Sequence, residues 1–99
     1  MSDVFAALAH PVRREVLKLL RNGAKSAGDL AAGFDLAKPT LSGHFAVLKS
    51  AGLITSEKKG TTILYRLNMT VLDEALAALM AIAGTGKSKG ARAWVSAHR

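Results

Sequence analysis

Apolar side chains recur at helical spacing through the first half of the chain. Phe5 and Leu8 share one face of a short helix predicted over residues 4–9, with Asp3 as its N-cap. His10-Pro11 interrupts the pattern, and Pro11 suits the first turn of a new helix, where a missing N–H costs nothing. That second helix is predicted over residues 11–22. Val12, Val16, Leu19 and Leu20 form its buried stripe with Leu17 at the edge, while Arg13, Arg14, Lys18 and Arg21 lie toward the other side. Asn22-Gly23 is a stop signal, with Gly23 as a left-handed cap. Ser26 then caps a third helix over residues 27–33, with Asp29 at the N3 position of a capping-box-like start and Leu30, Ala31 and Phe34 facing inward. After a tight turn at Asp35-Leu36-Ala37, a fourth helix runs over residues 38–51. Pro39 lies in its first turn, Gly52 closes it, and Leu41, Phe45 and Leu48 face the core.

The period then changes. Residues 53–57 and 61–67 carry β-branched and aromatic content and predict two strands, joined by a basic loop, Lys58-Lys59-Gly60. Ile63, Tyr65 and Leu67 share one face of the second strand, with Arg66 opposite. Asn68 or Thr70 caps a fifth helix over residues 71–83, which Gly84-Thr85-Gly86 ends. The remainder, 87–99, is a basic tail with one turn of helix expected around residues 92–97.

Two short helices joined by a tight turn read as a helix-turn-helix, provided the second helix has a suitable outward face. Opposite Leu41 on the helical wheel lie Pro39, Gly43, Ala46 and Ser50. Lys38, Ser42 and Lys49 flank one side of that face and Thr40 the other. With no acid and no large apolar side chain, the face fits phosphates and base edges, and equally an ordinary solvated helix. The basic hairpin that follows tips the balance, because a helix-turn-helix with a two-stranded wing reads groove and backbone together. The expected fold is mainly α with a β-hairpin wing: a winged helix-turn-helix of about five helices and two strands.

Composition agrees. The chain has 99 residues, enough for one domain, with a formal charge of +7 and no Cys. Four of its basic residues, Lys87, Lys89, Arg92 and Arg99, lie in the tail, which has no acid. A basic balance suits nucleic acid, an anionic surface or an acidic partner. The absence of Cys removes disulfides, zinc fingers and thiol catalysis. No apolar run is long enough to span a membrane, and Met1-Ser2-Asp3 shows no basic leader, so a cytoplasmic protein without membrane insertion is expected. Gly84-Thr85-Gly86-Lys87-Ser88 looks like the end of a phosphate-binding loop. It has Ala81 where a glycine is needed and follows a helix rather than a strand, which argues against nucleotide binding. The three histidines sit in no nucleophile context, and no enzymatic activity or cofactor is expected.

Three motifs in order carry a family resemblance: Phe5-Ala6-Ala7-Leu8-Ala9-His10-Pro11-Val12-Arg13-Arg14-Glu15-Val16-Leu17, then Ala37-Lys38-Pro39-Thr40-Leu41-Ser42-Gly43-His44-Phe45-Ala46-Val47-Leu48 with Ala51-Gly52-Leu53-Ile54, then Gly60 with Tyr65-Arg66-Leu67-Asn68. Over about residues 4–83 the chain resembles the ArsR/SmtB family of bacterial winged-helix repressors, and most of all its SdpR-like branch, whose members often lack a metal site. The resemblance implies a homodimer. The residues support this independently, since only Asp73 and Glu74 are polar across residues 71–83. Such a helix is either sunk in its own core or paired with a second copy, and a chain this short has little protein to surround it. Phe5, Leu8, Leu72, Leu76, Leu79 and Met80 are the candidate dimer interface, with Val4 beside them.

Metal sensors of the family use Cys in the third helix or Asp/His/Glu sets on the fifth. Here the third helix has no thiol, and Asp73 and Glu74 are adjacent, pointing about 100° apart. No metal site is expected, and release by a protein partner is the reading that remains. Two positions depart from the family pattern. Ala37 replaces the usual capping Ser, and Gly43 stands where a larger polar residue often faces the bases. The candidate DNA-binding residues are Lys38, Thr40, Ser42, Gly43, Lys49, Lys58 and Lys59, with His44 ranked below them as semi-buried. Residues 1–86 are expected to form the DNA-binding and dimerisation domain. The function expected is a sequence-specific DNA-binding regulator, a homodimeric repressor on a pseudo-palindromic promoter site. The alternative is a winged-helix protein–protein module that no longer binds DNA.

Overall fold

The computed structural model describes residues 1–84, in two units that meet at Met69 and Thr70 and are taken separately. The first unit opens with α1 (Ser2–Leu8), whose N-cap is Met1. Asp3 therefore lies inside the first turn, where its carboxylate meets the positive end of the helix dipole instead of capping it. The buried positions are Val4 and Ala7, not Phe5 and Leu8, which are half-buried on the adjoining face. A seven-residue helix is too short to persist by itself. Its last carbonyls are held by arginines from the next helix: Arg13 Nε donates to Ala7 O at 2.8 Å, Arg13 Nη2 to Ala6 O at 3.1 Å, and Arg14 Nη1 to Leu8 O at 2.8 Å.

Helix α2 (Pro11–Leu20) starts on a histidine cap, with His10 Nδ1 accepting from the Val12 N–H at 3.1 Å. It ends two residues earlier than the sequence suggests, with Arg21 as C-cap and Gly23 beyond it at φ +145°. Val16, Leu17 and Leu20 are its buried residues, so Leu17 belongs inside, while Val12 and Leu19 are half-buried. The chain then forms a two-residue strand, β1 (Lys25–Ser26), that its side-chain pattern does not announce. Ser26 also caps α3 (Ala27–Ala32), its Oγ accepting from the Asp29 N–H at 3.0 Å. Leu30 anchors this helix in the core, with Ala31 and Phe34 only half-buried.

Helix α4 (Lys38–Ser50) buries Leu41, Phe45 and Leu48. Its C-terminus closes with paired bonds, Gly52 N–H to Lys49 O at 3.0 Å and Leu53 N–H to Leu48 O at 3.0 Å. This is a Schellman arrangement, and Gly52 at φ +80° takes the left-handed position that it requires. Leu48 and Leu53, the two apolar residues that such a turn brings together, are both fully buried.

Strands β2 (Ile54–Lys59) and β3 (Thr62–Leu67) form the hairpin, and β1 pairs with the other edge of β3, giving an antiparallel sheet of order β1-β3-β2. The sheet thus has three strands rather than two. The hairpin turn is Gly60-Thr61, with Gly60 at φ +62°, so Lys58 and Lys59 are strand residues and not loop residues. The register pairs Ile54 with Leu67, Ser56 with Tyr65 and Lys58 with Ile63 on one face. Thr55 with Arg66, Glu57 with Leu64 and Lys59 with Thr62 occupy the other.

The second unit begins at Thr70 and carries all but the first residue of α5 (Met69–Ala83), which starts two residues before the predicted boundary, directly after Asn68, and ends at Gly84 with φ +72°. Ala75 is its buried residue, while Leu76, Leu79 and Ile82 are exposed. The basic tail and its expected turn of helix lie outside the described residues. Among the described residues no helix is long and apolar enough to cross a membrane.

Ser26→Ala removes the side-chain acceptor at the start of α3. The expected cost is about 1 kcal/mol. That lowers the melting temperature by about 4–8 °C for a chain of this size, measured by circular dichroism.

Candidate nucleic-acid interface

The burial of Leu41, Phe45 and Leu48 sets the rotation of α4, and with it the direction of every other side chain on the helix. Lys38, Thr40, Ser42, Gly43 and Lys49 are all exposed, and no acid interrupts the thirteen residues of α4. Lys38 and Lys49 lie near its two ends, about 16 Å apart along the axis at 1.5 Å per residue. Lys38 and Ser42 line a cleft of about 180 Å³ with Ala27, Gly28 and Ala31 of α3. Ala27 and Gly28 also floor a second cleft, about 330 Å³, against Ser26 and the wing residues Thr61, Thr62 and Ile63. The two clefts share these two small residues, so the start of α4 and the tip of the hairpin both border the first turn of α3. The sequence reading missed that shared border, because it consists of residues with no chemistry of their own.

The C-terminal half of the same helix differs. Ala46 and Ser50, expected on the outward face, line a shallow cleft of about 360 Å³ with Val47, Ala51 and two α1 residues, Asp3 and Ala6. Ala46, Val47, Lys49 and Ser50 remain exposed, so the two halves of α4 differ in the neighbour they face, α3 at the first two turns and α1 beyond them. Gly43 stands at the end of the first two turns. A Cβ built there would meet nothing within 4 Å, and its φ is not positive, so the fold does not require glycine at this position.

On the wing, alternation separates the two lysines. Lys58 shares a face with Ile63 and Tyr65, and Tyr65 packs against Phe45 of α4 with ring centroids 4.9 Å apart. Lys58 is thus on the α4 side of the wing. Lys59 points to the opposite face, 3.5 Å from Glu57. Both partners of that pair are more than half exposed, so it adds little stability while it offsets the charge of Lys59.

His44 is half-buried, as its place beside the core stripe predicts. Its Nδ1 lies 3.4 Å from Arg13 Nη1, and its ring lies 4.4 Å from that of His10. Burial first, then the neighbouring His10 and Arg13, hold its pKa below the usual histidine value. The helical pattern places Arg13 only on the side of α2 away from its buried stripe. A cationic side chain five residues beyond a helix end is within reach of the carbonyls of that end.

Of the candidate interface residues, Phe5 and Leu8 on α1 and Leu72 and Met80 on α5 are half-buried, and Leu76 and Leu79 on α5 are exposed. Ile82, at 81 % exposure, joins the apolar surface of α5 and was not singled out from the sequence. Among the described residues no cluster of three or more His, Cys, Asp or Glu side chains could hold a metal ion.

A short helix, a turn, a basic helix free of acids and a two-stranded wing together define a winged helix-turn-helix, a class of DNA-binding fold. A family model described as a helix-turn-helix domain matches residues 8–57. The chain is 43% identical over 76 residues to the transcriptional repressor SdpR of Bacillus subtilis (strain 168), covering 77% of this chain and 84% of that protein. It superposes on the crystal structure of a possible transcriptional regulator for arsenical resistance with a TM-score of 0.75 at 32% identity, covering 83% of this chain and 84% of the other. An ArsR family transcriptional regulator gives a TM-score of 0.70 at 31% identity, covering 82% and 87%. The protein belongs to the ArsR/SmtB family of winged-helix transcriptional repressors.

Since nothing occupies the space beside Gly43, Gly43→Ala is expected to stabilise the fold. The gain is about 0.5–1 kcal/mol from helix propensity. Thermal unfolding should show a melting temperature raised by about 2–8 °C.

Proposed function

We infer that this protein is a sequence-specific DNA-binding transcriptional repressor that acts as a homodimer on a pseudo-palindromic promoter site, excluding polymerase by occupying it. The observation that carries this reading is the acid-free outward surface of the first turns of α4, with the wing tip bordering the same residues of α3. Thr40 and Ser42 are short hydroxyl side chains able to reach base edges, and Gly43 lets the backbone approach the groove floor. Lys38, Lys49, Lys58 and Lys59 are assigned to phosphates, which set register and affinity. A protein–protein module that had lost DNA binding would need an acidic or apolar surface on α4, whereas its first turns present Lys38, Thr40 and Ser42 and the helix has no acid. Residues 1–86 constitute the functional domain in this reading and 87–99 an accessory basic tail. The protein acts in the cytoplasm, without catalytic activity.

If six to eight phosphates are neutralised per dimer, log K falls with log salt at a slope of about −5 to −7. Fluorescence anisotropy on a selected operator duplex measures it, and a slope near zero contradicts the assignment. Lys58 lies on the α4 side of the wing and Lys59 is partly offset by Glu57, so Lys58→Ala should reduce affinity and slope more than Lys59→Ala.

The homodimer reading rests on the exposed apolar residues of α5, Leu76, Leu79 and Ile82, with Phe5 and Leu8 of α1 assigned to the same role. A twofold dimer presents two α4 helices to half-sites about one helical turn apart. Leu79→Glu places a charge in that contact, and separation costs less than burying the charge unpaired. Sedimentation should show a dimeric wild type and a monomeric variant, with specific DNA affinity lost in the variant. A wild type that is monomeric at micromolar concentration contradicts the reading.

A further inference from the structure

Three side chains meet where α4 passes the start of α2. His44, midway along α4, has its ring centroid 4.4 Å from that of His10, with the planes tilted by 49°. Its Nδ1 faces Arg13 Nη1 at 3.4 Å. A guanidinium only donates, so His44 Nδ1 accepts and the neutral ring carries its proton on Nε2. His10 is held in the same tautomer, because its Nδ1 accepts from the Val12 N–H. Arg13 spends its other nitrogens on the carbonyls of Ala6 and Ala7. One guanidinium therefore joins the last turn of α1, the first turn of α2 and the middle of α4.

Both imidazoles serve as acceptors, and protonation at Nδ1 converts each into a donor. That change removes the cap of α2 and sets two imidazolium ions beside each other and beside Arg13. Among the described residues the charged groups that act on His44 are His10 and Arg13, with no acid beside them. Asp3 of α1 lines the cleft with Ala46, Val47, Ser50 and Ala51, and Glu57 of β2 pairs with Lys59. The other ion pair among the described residues is Glu15 with Lys18.

We propose that His10, Arg13 and His44 form a pH-sensitive latch that positions α4, so that specific DNA affinity falls on acidification. The proposal rests on the reading of α4 as the DNA-contacting helix. These are positioning residues: His44 is half-buried and acts through its neighbours Ser42 and Gly43, which face outward. The direction of the His44 shift agrees. A histidine whose folded pKa is lowered favours the fold fully above its unfolded value of 6.5. That contribution is lost as pH falls through the lower folded value. Charge alone predicts the opposite trend, since protonated histidines add positive charge and tighten binding to phosphates.

The test measures affinity of the full chain for a selected operator duplex and for a scrambled duplex, from about pH 7.5 to about pH 5.5 at constant ionic strength. Circular dichroism is recorded alongside. The expected result for wild type is a loss of about tenfold in specific affinity, the effect of losing one charge-assisted hydrogen bond. Affinity for scrambled DNA holds or rises, and the helical signal stays unchanged. His10→Asn and His44→Asn keep a neutral acceptor near the position of Nδ1, and Asn is itself a good helix cap. Combined, they should abolish the acid response, read as the ratio of specific affinity at the two ends of the pH range. Specific binding that is flat or tighter in acid, or an acid response surviving in the double variant, overturns the latch alone. Failure to bind any duplex specifically at pH 7.5 overturns the DNA reading, and the latch with it.

Discussion

The rotation of α4 about its own axis is the constraint from which the functional surface follows. Leu41, Phe45 and Leu48 are held in the core, and the Schellman turn at Gly52 delivers Leu53 to the same interior. These contacts leave the helix one orientation, because turning it by a single residue would expose a leucine or bury a lysine. The same rotation fixes Lys38, Thr40 and Ser42 outward and His44 toward α2. An apolar interior of ordinary composition thus determines which polar groups can meet a ligand.

Much of this was legible in the sequence because long periodic segments and strong punctuators coincide. Pro11, Ser26, Pro39, Gly52 and the Leu41/Phe45/Leu48 stripe each indicate a boundary or a face, and each has that role in the structure. The misplaced features are those where tertiary contact outweighs local preference. β1 has two residues and no β-forming pattern; it is a strand only because β3 offers it a partner. Helical spacing places Phe5 and Leu8 on one face of α1, whereas tertiary packing buries the adjoining face, Val4 and Ala7. The hairpin loop was drawn around its charges, but glycine conformation, not charge, determines where a chain reverses.

For the candidate site, the residue types were readable and their grouping was not. A sequence shows that Lys58 and Lys59 are adjacent. It does not show that strand phase sends them to opposite faces, or that Glu57 stands beside only one. Arg13 was visible as a charge, while its use as a clamp on carbonyls of the preceding helix depends on how two helices meet. His44 was placed correctly by helical geometry, but its contact with His10 joins residues far apart in the chain, and no periodicity reports that.

The wing has almost no slack. Six residues per strand and a two-residue turn leave no loop in which an added residue could be absorbed. A single neutral residue inserted within β2 ahead of Lys58 would invert the phase of everything beyond it, exchanging the faces of Lys58 and Lys59 without altering net charge. Two related proteins with the same wing charges could therefore present them on opposite sides of the hairpin. Divergence in such a wing is better compared by parity, the odd or even count of residues from Ile54 to the turn, than by the number of lysines.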